Sequence, residues 1–196
     1  MSRKPRRQRP ADPMARDRAV WVESGVAADG TFVVEVHADG DWSFALDRDR
    51  ALAYVATVYD AAARAEYDAA ILRQLTSRGL SREVVGEVII KDLRPDRPPL
   101  NDAATAPLTF TPIVSEVSGH PFVHVHVHGR SAREPQFLAQ WKPASARQHA
   151  GHVLDALAVV DLDAGYLRAL VGVIGIDAPR ARAVVATLAD HRRPAA

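Results

Sequence analysis

The chain has 196 residues, of which 47% are hydrophobic and 25% charged, with no cysteine and a formal net charge of +1. This is the composition of a folded globular chain, and it excludes disulfides, thiolate metal sites and cysteine nucleophiles. Any metal site must be built from His, Asp and Glu.

The charge is unevenly placed. Residues 1–18 carry seven basic side chains against two acidic ones, a net of +5, while the other 178 residues carry 18 basic and 22 acidic, a net of −4. With Pro5, Pro10 and Pro13 and no apolar period, residues 1–18 are expected to form a disordered basic tail. Its Arg3, Lys4, Arg6, Arg7 and Arg9 are candidates for contacting nucleic acid or another anionic partner through counterion release. No apolar run approaches the roughly 20 residues of a membrane span. The basic start is not followed by the apolar stretch of a secretory signal, so a cytoplasmic protein without membrane contact is expected.

The first half, residues 19–91, opens with strand patterns. VWVES at 20–24 and TFVVEVH at 31–37 flank the turn signal Asp29-Gly30, and WSFAL at 42–46 follows Asp39-Gly40. The period then lengthens to three and four: Ala51, Leu52, Val55, Val58, Tyr59 and Ala62 mark a helix capped by Asp47 or Asp49. Tyr67, Ile71, Leu72 and Leu75 mark a second helix ending at Gly79, and Ser81 caps a third with Val84, Val85, Val88 and Ile89. Residues 92–107, with Pro95, Pro98, Pro99 and Pro107, read as a stiff linker.

The order then recurs over residues 108–191, with 192–196 a short tail. LTFTPIV at 108–114, FVHVHVH at 122–128 and FLAQW at 137–141 predict strands. A helix opens at Pro143, a second carries Tyr166, Leu167, Leu170 and Val171 to a stop near Gly175, and a third is capped by Asp177. Laying residues 29–40 on 118–129 gives five identities in twelve positions, and laying 46–78 on 141–173 gives ten in 33. The fold class expected is α+β: a tandem duplication of a βββααα unit, with antiparallel strands and helices packed on one face, forming one pseudo-two-fold body. A continuous six-stranded sheet is one form this body can take.

The alternation of His124, His126 and His128 with Val123, Val125 and Val127 is the feature most suggestive of chemistry. In the repeat register these histidines fall on Glu35, His37 and Asp39, and Val123 and Val125 fall on Val34 and Val36. Valines therefore face the core in both halves, and Glu35, His37, Asp39, His124, His126 and His128 form a polar outward row, the candidate interaction surface. The alternative is a zinc or iron site at His124, His126 and His128, because His-x-His places two imidazoles about 7 Å apart on one face. Glu134, or His149 and His152 on the next helix, could supplement it. His149 itself corresponds to Tyr54 and reads as a packing histidine.

The segments 71–89 and 167–188 have the rhythm of two helices joined at a glycine, and helix packing explains it better than base readout. Asp68 and Asp163, at matching positions, read as helix-start residues favoured by the dipole. There is no Gly-x-Gly-x-x-Gly, no phosphate-binding Gly-Lys-Ser/Thr loop, no Gly-x-Ser-x-Gly elbow and no His-Glu-x-x-His helix. The sequence thus points to a non-enzymatic binding or regulatory protein without a cofactor, using the outer sheet face and the basic tail. A metal-dependent protein at the histidine row and a self-assembling homodimer are its rivals.

Overall fold

A computed structural model describes residues 20–27, 29–38, 42–128 and 135–192. Two antiparallel three-stranded meanders alternate with helices in an α+β fold. Sheet A comprises β1 (Val20–Val26), β2 (Phe32–Ala38) and β3 (Trp42–Leu46), in that order. Sheet B comprises β4 (Leu108–Val114), β5 (Pro121–Val127) and β6 (Gln136–Trp141). The strands lie within a residue or two of their predicted places. Among the described residues each meander pairs only within itself, so the six strands form two sheets and not one continuous sheet.

The helices depart more from expectation. Instead of two helices after β3 there is one, α1 (Arg48–Thr76), and after β6 one again, α4 (Pro143–Gly172). Alanine-rich chain without Gly or Pro runs from Asp47 to Ser77, so nothing interrupts α1. Asp47 caps it, Oδ1 accepting from Arg50 N at 2.9 Å, and Gly79 ends the following turn at a φ of 92 degrees, in the left-handed region open to glycine. Asp68 and Asp163 are consequently not helix starts; both lie inside long helices and are buried. Asp68 faces two guanidinium groups, Arg94 Nη2 at 3.1 Å and Arg97 Nη2 at 2.6 Å.

Residues 92–107 pack on the body rather than only spacing its halves. The short α2 (Arg82–Val88) passes into a π-helical turn over Ile89–Leu93, and α3 (Asp102–Thr105) buries Ala104 and Thr105. Arg94 Nη2 also donates to the Pro112 carbonyl of β4 at 3.0 Å. Val85 and Ile89 pack with Leu72 in a small apolar cluster, so the helix-glycine-helix rhythm of the first half serves packing. The last helix, α5 (Ala178–Arg192), is capped by Asp177, whose Oδ1 accepts from Arg180 N at 3.0 Å. Among the described residues no helix is long and apolar enough to cross a membrane.

The two long helices are exchanged between the sheets: α1 packs chiefly on β4 and β5, and α4 on β1 and β2. One core results, with Val34, Val36, Val123 and Val125 facing helix residues such as Val58, Val153 and Leu157. Each such side chain contributes about 1.5–3 kcal/mol when fully buried. At the helix crossing the Tyr54 hydroxyl meets His149 Nε2 at 2.9 Å, with Phe44 of sheet A and Phe110 of sheet B against the Tyr54 ring. Burial raises the Tyr54 hydroxyl well above its ordinary pKa. Burial, helped by nearby His152, brings His149 down to about 4, so it is a neutral packing group.

Candidate functional site

The outward side of sheet A gathers a histidine and two carboxylates. Its geometry begins in the β1–β2 turn, where Asp29 Oδ1 accepts from Thr31 N at 2.9 Å and Gly30 takes a φ of 83 degrees. That turn sets the register, placing Trp21 opposite His37 and Glu23 opposite Glu35. Because Val34, Val36 and Ala38 point into the core, Glu35 and His37 must point out. His37 Nε2 stands 3.0 Å from Glu23 Oε1 and 3.6 Å from Glu35 Oε2, and the indole of Trp21 stacks on its ring at 5.3 Å between centroids.

Two details shape this group. His37 Nε2 is shielded from water and has no hydrogen-bond partner, so its approach to Glu23 has ion-pair distance without hydrogen-bond alignment. Gly25 provides a slot for Glu35: a Cβ there would lie 2.4 Å from Glu35 Oε1 and 2.5 Å from its Cδ. Glycine inside a strand commonly marks such a close approach. Across β3 the neighbours of Glu35 and His37 are Ala45 and Ser43, small and exposed, which leaves the group open on that side.

Sheet B carries the histidine row differently. His124 and His126 lie 6.1 Å apart, and both set their rings edge-on to Phe137, at 5.3 and 5.6 Å. His124 Nε2 meets Gln140 Oε1 at 3.1 Å, and His128 Nε2 meets the Thr109 hydroxyl at 3.4 Å. A register shift on β6 between the partners of Val125 and His126 brings Phe137 beneath His126. Partial burial, then the charges of His124 and His128, lower the pKa of His126.

Of the residues singled out in the sequence, Glu35 and His37 are thus brought together, and His124, His126 and His128 share one strand face. Among the described residues, the set of three ligating groups whose atoms lie within 4.8 Å of one another is Glu23, Glu35 and His37. His149 turns into the core while His152 is exposed, so these two do not present one face. Asp39, Glu134 and the tail residues Arg3, Lys4, Arg6, Arg7 and Arg9 lie outside the described residues. Sequence reasoning missed Trp21, Glu23 and Gly25, although pairing β1 and β2 about the Asp29-Gly30 turn would have placed Glu23 across from Glu35.

A cavity of about 250 Å³ is lined by Arg64, Arg94 and Arg97, together with Asp102. Asp60 pairs with Arg64, and Asp68 with both Arg94 and Arg97, so each of the three arginines already has a carboxylate partner, and Asp102 adds a further negative charge to the lining. Compared with known proteins, the chain matches no family model, no curated protein and no solved structure.

Proposed function

We propose that the protein is a binding protein rather than an enzyme, and that its partner is single-stranded nucleic acid held by the outer row of sheet B and the basic tail. The observation that carries this reading is the platform formed by His124, His126 and Phe137, with Phe137 51% exposed. Flat aromatic and imidazole rings on a sheet stack on bases, at about 1–3 kcal/mol per base. The body's net negative charge disfavours a long duplex contact, whereas the tail's net +5 supplies phosphate attraction. Fluorescence anisotropy with a labelled oligothymidine tests it in low and moderate salt. Phe137→Ala is expected to weaken binding about tenfold, and removal of residues 1–18 to flatten the salt dependence. Equal, weak binding by the full chain and the truncated chain at low salt would refute the tail's role, and an unchanged Phe137→Ala would refute the platform.

We also infer that the two halves are a tandem duplication about a pseudo-two-fold axis. Support comes from the exchanged helices and from pairs at matching positions. Tyr54 and His149 correspond in the repeat register and touch each other. Glu66 and Asp161 correspond likewise, and each pairs with an arginine near the start of the opposite helix, Glu66 with Arg147 and Asp161 with Arg48. A contact between residues at matching positions, as Tyr54 makes with His149, is what a two-fold arrangement produces.

A further inference from the structure

We propose that Glu23, Glu35 and His37 form a binding site for one first-row divalent transition-metal cation such as Zn²⁺ or Co²⁺. This site lies on sheet A and uses neither the tail nor the histidine row, so it stands apart from the nucleic-acid reading. Ligands about 2.1 Å from one cation stand about 3.0–3.4 Å from each other, and Nε2 of His37 lies 3.0 and 3.6 Å from the two carboxylate oxygens. An imidazolium could balance only one of the two carboxylates, whereas a divalent cation with a neutral imidazole balances both. The nitrogen is already withdrawn from water without an aligned hydrogen bond, so a metal bound to the Nδ1–H tautomer would displace neither a water nor an established partner there. Gly25 admits the Glu35 carboxylate, and the small Ser43 and Ala45 leave room for water to complete the coordination shell. The imidazole donor favours transition ions over Mg²⁺ or Ca²⁺, which prefer all-oxygen shells.

Trp21 supplies a local reporter, because its ring stacks on His37 and bound Co²⁺ would quench it. The test is a Co²⁺ titration of the full chain, made without a polyhistidine tag and stripped with chelator, followed by visible absorption and tryptophan emission. One equivalent is expected to bind, with an absorption band and a fall in emission that Trp21→Phe removes while keeping the band. His37→Gln, Glu23→Gln and Glu35→Gln should each raise half-saturation at least about tenfold, with unchanged circular dichroism. His124→Gln/His126→Gln should leave the titration as it was. The proposal is overturned if no band develops up to about 1 mM Co²⁺, if His37→Gln binds like the parent, or if the His124/His126 double substitution abolishes binding.

Discussion

Opposite Glu35 in sheet A stands Glu23; opposite His124, at the matching place in sheet B, stands Thr111. The same comparison sets Trp21 against Thr109 and Gly25 against Ile113 on the first strands, and Ser43 and Ala45 against Phe137 and Gln140 on the third. The inner faces of the two meanders are alike, with valines packed on an exchanged helix. The outer rows therefore differ by side-chain choice on a shared frame. Sheet A clears space and adds carboxylates around one imidazole, and sheet B adds imidazoles and fills the space with an aromatic ring. A buried face tolerates only apolar residues of suitable volume, whereas an outward row is free to take on chemistry.

The comparison breaks most severely if the frame under sheet B is loosened. Asp68→Ala leaves Arg94 and Arg97 without their buried partner and frees the Arg94 hold on Pro112 of β4. A loss of about 3–5 kcal/mol is expected, measurable by urea unfolding, and a loss under about 1 kcal/mol would show that sheet B does not depend on this anchor.

A somewhat smaller effect comes from the junction that both sheets share. His149 is neutral in the folded state with its pKa near 4, against an ordinary value of 6.5. The unfolded chain therefore binds the extra proton first, and stability falls as pH drops from 6.5 to 4, by up to about 3 kcal/mol. Replacing both polar partners, Tyr54→Phe with His149→Leu, should reduce this slope in pH-dependent thermal unfolding. A slope unchanged in the double variant would assign it to other groups.

The finest test moves one feature of sheet A toward sheet B. Gly25→Ala fills the slot that Glu35 occupies, at the place where sheet B carries Ile113. Glu35 must then shift, and Co²⁺ affinity should fall about tenfold, or about 1.4 kcal/mol. Global stability should change by no more than about 1 kcal/mol. Undiminished affinity, read in the same titration, would mean that the position of Glu35 is not set by Gly25.

Much of this was legible in the chain itself. Alternating Val34 and Val36, and Val123, Val125 and Val127, identified the core faces, and with them the outward position of Glu35, His37 and the histidine row. Asp47, Ser81 and Asp177 marked helix starts, and Gly79 and Gly175 marked stops, each through a preference acting within a few residues. The division of α1 into separate helices was misread because a change in apolar face is not a break when no Gly or Pro interrupts the backbone, and α4 runs on through Gly151 and Gly165 because a glycine inside a helix costs only about 1 kcal/mol relative to alanine.

Periodicity and capping are local, so the sequence alone determined the strands, the inward and outward faces, and most helix ends. Contacts between distant segments were left to the tertiary structure. It set α1 on sheet B and α4 on sheet A, joined Asp68 to Arg94 and Arg97, and brought Tyr54 to His149. Among the described residues it also gave His37 its two carboxylates, because cross-strand register and the empty side of Gly25 decide which outward groups meet.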